Sequence, residues 1–226
     1  MKIKRISKYF TMAALFLSSA LNAGTLIKLD LSSYENFAKI LENAKVAYHE
    51  KYGDNFLKSS FEPSLTLLFL SAQNDDSDLN KIIDSELSGA QLVYNAAQTV
   101  ADNTNIFEIS SKLEITHTPG VASGVPSVGI VAGEEYCSVN IILPDASAAL
   151  NPLMQSLKEE VMKVIERTSA RDYPFRAQIN IGYIKNHKEA AVIENFEVHV
   201  NFSVDSFIVD FPNMPEYKNK ILKLKN

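Results

Sequence analysis

The chain has 226 residues, 46% hydrophobic and 22% charged, with a formal net charge of −5. That apolar fraction excludes a disordered chain, and eight Gly with eight Pro exclude collagen and low-complexity sequence. One Cys excludes an intrachain disulfide or a Cys-rich zinc cluster, and the acidic balance argues against a nucleic-acid coat, which must neutralise phosphates.

Residues 1–23 have the three parts of a secretory signal. Lys2, Lys4, Arg5 and Lys8 form a basic start, and Phe10 to Leu17 an apolar centre too short for a membrane span. Small residues follow, with cleavage candidates after Ala20 and Ala23. The expectation is export to the periplasm or outside the cell, followed by a single domain over residues 24–226. Losing the four basic residues moves the net charge from −5 to about −9. No later stretch is long and apolar enough to span a membrane.

Thr25 to Leu31 alternates as a strand. Ser32-x-x-Glu35 resembles a capping box for a helix with an apolar stripe from Phe37 to Tyr48 and a terminating Gly53. Pro63 introduces the apolar run Leu65 to Leu70, a buried strand. A second helix is expected from about Asp78 to Val100, then a half-buried strand over Ile106 to Ile115. Pro119, Gly120, Gly124 and Pro126 mark a loop. Strands follow near Ser127 to Ala132 and Ser138 to Leu143, the latter with Cys137 as a small buried neighbour. A third helix is expected with Asn151 as cap, Pro152 in its first turn and a Glu159–Lys163 pair. Ala177 to Tyr183 reads as a strand. Asn195 to Phe211 reads as one long strand or two joined by a bulge, because its apolar phase shifts around Asp205. The order is β-α-β-α-β, a loop, then β-β-α-β-β: two halves of similar content.

Two strands carry the functional question. Phe61-Glu62-Pro63-Ser64-Leu65-Thr66, followed by Leu67 to Leu70, resembles the first signature of the 2H phosphoesterase superfamily, the 2'-5' RNA ligase-like proteins. Tyr173-Pro174-Phe175-Arg176-Ala177-Gln178-Ile179-Asn180 sits where the second copy would lie, and Phe202 to Val209 resembles the terminal strand. The resemblance covers nearly the whole chain after the signal. It implies an α+β fold of two pseudo-symmetric lobes around a central groove, in which a His from each motif acts as acid or base and a nearby hydroxyl holds phosphate.

This chain departs from that pattern at the decisive positions. Ser64 and Gln178 stand in the His slots, Thr66 keeps the first hydroxyl, and Asn180 replaces the second. Residues two apart on a strand share a face, so each pair presents two polar groups together. None titrates near neutral pH, so none can shuttle protons as imidazole does. The four can form a groove for a small polar or phosphate-containing ligand, or dock a protein partner. They can equally be ordinary polar residues on a solvent-facing sheet. Arg176, His117 and His199 are the accessory candidates, needed if the groove is instead an active phosphodiesterase using other residues. No His-x-x-His spacing, carboxylate cluster or Gly-rich phosphate loop appears, so neither metal nor cofactor is expected.

Overall fold

The computed structural model describes residues 25–32, 34–59, 63–70, 89–121, 130, 133–164, 176–187, 191–211 and 215–226. The expected signal segment and the strand near 127–132 lie outside these residues, apart from the buried Ile130.

The chain begins with β1 (Thr25–Asp30) and α1 (Glu35–Tyr52). The expected capping box does not form: Tyr34 is the cap residue, with no side-chain hydrogen bond. Ser32 is held one turn earlier, its amide bonded to Asp30 Oδ1 at 2.8 Å. Gly53 ends the helix at φ 56°, a conformation that suits glycine, and its amide bonds to the His49 carbonyl. A short β2 (Phe56–Lys58) follows, then β3 (Ser64–Leu70). The second helix, α2, is described over Gly89–Asn103, and the expected start near Asp78 lies outside the described residues.

β4 (Phe107–Val121) runs through the expected break at Pro119 and Gly120. Among the described residues its pairing with one neighbour reaches His117, and on the other side Pro119 still stands opposite Cys137. β5 is Glu135–Ile142. α3 is Pro144–Val164 and starts seven residues before the expected cap. Pro144 sits in its first turn, where a missing N–H costs nothing, and the Leu143 carbonyl accepts the Ser147 amide at 3.1 Å. Pro152 is therefore inside the helix and Asn151 is no cap, but both are exposed, so water can serve the carbonyl that Pro152 leaves unbonded. Lys163 pairs with Glu160, one residue nearer than Glu159.

The chain closes with β6 (Gln178–Lys185), β7 (Ala191–Val204), β8 (Ser206–Asp210) and β9 (Lys220–Lys223). Asp205 does separate two strands, and they belong to different sheets. One sheet has the order β3-β1-β8-β9, the other β2-β6-β5-β4-β7. Every described pairing between these strands is antiparallel. The fold is α+β.

Both sheets and the three described helices share one apolar core. Ile27, Leu29, Leu65 and Val209 enter it from the four-stranded sheet, Val139, Ile141, Ile181 and Leu113 from the five-stranded one, and Phe37, Val93, Leu150 and Leu157 from the helices. Each sheet thus has a face turned to the helices and an opposite, more polar face.

A candidate polar groove

β3 is an edge strand, paired among the described residues only with β1. Lys28 lies opposite Thr66 and Asp30 opposite Ser64. Leu65 and Leu67 are buried, so Ser64 and Thr66 share the face turned away from the core. The ladder slips by one residue at Ile27/Lys28, and this bulge inverts the apolar phase so that Leu68 and Leu70 are buried too. Lys28 is anchored on the polar face by Asp210 at 3.7 Å.

β6 repeats the device. Ile179 and Ile181 are core residues, so Gln178 and Asn180 share the opposite face. The bulge here lies between the pairs Val139–Gly182 and Asn140–Asn180. Gly182 is required beside it: an added Cβ would stand 2.5 Å from the Leu57 carbonyl oxygen and from the Phe56 ring.

Asn180 does not stand alone. Its Nδ2 donates to Ser138 Oγ at 2.8 Å and to Asn140 Oδ1 at 3.2 Å, with the Gly182 and Val139 carbonyls at 3.3 and 3.4 Å. Ser138 and Asn140 bond each other through Asn140 Nδ2 at 3.0 Å. Cross-strand register adds Thr116 opposite Asn140. A row of amides and hydroxyls thus crosses three strands, with Asn140 only 4% exposed. The surrounding oxygens fix the amide's orientation, because a flipped Asn180 would set its oxygen against the Asn140, Gly182 and Val139 oxygens. Asn180 Oδ1 is buried without a partner among the described residues. Ser138, Asn140 and Thr116 were not among the sequence candidates. The alternation Ser138-Val139-Asn140-Ile141 already carried the signal.

β3 and β6 lie close, with Cα atoms of the two strands within 8 Å. Ser64 with Thr66, and Gln178 with Asn180, therefore occupy adjacent strands of different sheets. Gln178 is exposed and Asn180 half-buried. Arg176 is exposed at the entry to β6.

The accessory histidines do not join them. His117 is on the helix-side face of β4, opposite the fully buried Val139 and 5% exposed itself. Its Nε2 meets Tyr48 Oη of α1 at 2.8 Å, and its buried Nδ1 has no partner among the described residues. The His187 ring lies 5.6 Å from that of His117 and 6.0 Å from Tyr52. Burial first, then the positive potential of His187 and Lys51, hold His117 below the ordinary imidazole range. Burial pushes the Tyr48 phenol up. His199 is exposed on β7 opposite Lys112, on the other face and five residues along β4 from His117. A displaced His117/His199 pair across one groove is excluded by this placement.

Cys137 is fully buried, as expected, with Sγ 3.3 Å from the His187 carbonyl oxygen. Among the described residues no group of three His, Cys, Asp or Glu side chains could hold a metal, and no helix is long and apolar enough to cross a membrane.

No family model matches the chain, and no curated protein matches it. Its structure is similar to that of TT0787 from Thermus thermophilus, at 14% identity over 89% of this chain and 95% of that one, TM-score 0.49. It is also similar to Escherichia coli LigT, solved with 3'-AMP, at 14% identity over 90% of this chain and 95% of that one, TM-score 0.45. The α+β class expected from the sequence is the class that the described sheets and helices form.

Proposed function

We propose that this chain is an exported, 2H phosphoesterase-like protein that has given up catalysis and binds a ligand or partner through the face carrying Ser64, Thr66, Gln178 and Asn180. One observation carries the proposal: where the resemblance calls for imidazoles, these strands present hydroxyls and amides, and the imidazoles lie elsewhere. His117 is packed under α1, His187 lies against it, His49 is exposed on α1 and His199 is exposed on β7. A positioned acid or base contributes about 10²–10⁴-fold, and losing both removes most of the acceleration such a groove could supply. The polar row remains suited to binding, since Asn and Gln both donate and accept and the hydroxyls do likewise.

The test is incubation of the purified mature protein with 2',3'-cyclic nucleotides between pH 5 and 9. No turnover above buffer is expected. Turnover abolished by Thr66→Ala would overturn the proposal and establish an active phosphodiesterase built from other residues.

A further inference from the structure

A second concavity lies beside the groove, at the junction of the two sheets. It has a volume of about 250 Å³ and is built from the ends of β1, β7 and β8, with Tyr34 before α1 and Ile221 of β9. Its floor is apolar, with Leu29, Leu31 and Phe207 from the core. Tyr34 and Phe202 present an aromatic pair with ring centroids 5.3 Å apart. Ile221 is 63% exposed at the cavity rim.

The polar part of the lining is acidic. Asp30 and Asp205 line the cavity, and among the described lining residues there is no Lys or Arg. Among the described residues Asp30 Oδ1 accepts from the Ser32 amide at 2.8 Å and Asp205 Oδ1 from Ser206 Oγ at 2.7 Å. Lys28, two residues along β1, is committed to Asp210. Lys223 lies opposite Ser206 in register and is exposed. Tyr34 senses the local field: burial, then Asp205, Glu108 and Asp30, push its phenol up. An anion would meet the two carboxylates here, whereas an ammonium would find them beside the Tyr34 ring, which packs on the largely buried Phe202.

We propose that this cavity binds a small organic cation with an apolar body. The ammonium lies toward Asp30 and Asp205, and the body packs on Tyr34, Phe202 and Ile221. The volume is below the roughly 300–1,000 Å³ of sites for drug-sized molecules, which sets the ligand at the scale of an arylalkylamine. The cavity adjoins the Ser64–Asn180 face, since Asp30 lies opposite Ser64 in register, but its occupant does not depend on that face binding anything.

Phenethylamine, phenethyl alcohol and phenylacetate form an isosteric cation, neutral and anion series for the test. Amide resonances of Tyr34, Ser206 and Ile221 are followed by NMR on the mature protein during titration. Saturable shifts with the amine are expected, at least tenfold tighter than with the alcohol and absent with phenylacetate. Asp30→Asn and Asp205→Asn keep the carbonyl that accepts each local bond, so the fold is retained, and each should weaken the amine about tenfold. Equal binding of amine and alcohol would overturn the proposal. So would no saturation by 20 mM amine, or amine binding untouched in the folded double variant.

Discussion

Replacing Asn180 by Asp exchanges one NH2 for one oxygen and changes almost nothing in size, so it isolates the polarity of the row. The amide's Nδ2 supplies two good bonds, to Ser138 Oγ and Asn140 Oδ1 at 2.8 and 3.2 Å. Each is worth about 1 kcal/mol net, and opposing Asn140 Oδ1 and two carbonyls with a carboxylate oxygen adds a desolvation and repulsion cost of similar size. The sum is a loss of about 3 kcal/mol at pH 7. For a chain of this length that lowers Tm by roughly 6–12 °C. The loss should be pH-dependent. With acceptors around it and no described cation bonded to it, the introduced carboxyl has a folded pKa raised above the unfolded value of about 3.9. Its neutral form is favoured in the native state, so the native state binds more protons and stability falls as pH rises from about 4 through the folded pKa. The penalty must shrink as pH is lowered from 7 toward 4.5, because the protonated carboxyl can donate to Ser138 or Asn140. Urea denaturation of both proteins at five pH values provides the assay. A variant as stable as the parent at pH 7, or a penalty flat across that range, would refute the assigned orientation of Asn180 and its network.

Gly182→Ala should destabilise by about 1–3 kcal/mol, read as a lower denaturant midpoint at unchanged slope, because its Cβ meets the backbone oxygen of Leu57 as well as the Phe56 ring. His117 is held neutral by burial, so its contribution is complete above about pH 6.5 and is lost as pH falls through that value toward its lowered folded pKa. A Tm series should fall on acidification in that window, and His117→Phe should flatten the fall. Tyr48→Phe leaves His117 with neither ring nitrogen bonded to a described group, and should cost about 1–3 kcal/mol by thermal or urea unfolding. The same substitution should be nearly neutral in the His117→Phe background, since both polar partners are then gone.

What the sequence made legible was local. The 3.6-residue stripe from Phe37 to Tyr48 and the alternation around Ile109 to Ile115 name their elements because each faces a single core. The phase shift at Asp205 was also visible, but the transfer of the chain from one sheet to the other there was not, since partner strands are not written locally. α3 was misread because two prolines competed for its start. Pro144 begins the helix and Pro152 is tolerated inside it on an exposed side, and exposure is a property of the packed chain. The row through Asn180 requires the register of β4, β5 and β6, so Ser138 and Asn140 could be seen as sharing a face but not as meeting Asn180. His117 was more accessible to inference: continuing the apolar phase of Leu113 and Ile115 puts it on the core side.

The two bulges connect these points to function. In β3 and β6 the apolar phase inverts within two or three residues of the polar pair, at Leu67 and at Ile181. Each strand therefore begins by turning Ser64 and Thr66, or Gln178 and Asn180, away from the core, and then buries Leu68 and Leu70, or Ile184. A strand selected only for packing gains nothing from such an arrangement, because a bulge leaves one residue unpaired and interrupts the ladder. Its effect here is to keep a short polar stretch aimed outward at the edge of a strand otherwise committed to the core. The device occurs on both strands, with two hydroxyls on β3 and two amides on β6, which is the arrangement the proposed binding face requires. The Asn180→Asp variant and its pH profile probe the more buried half of that face directly.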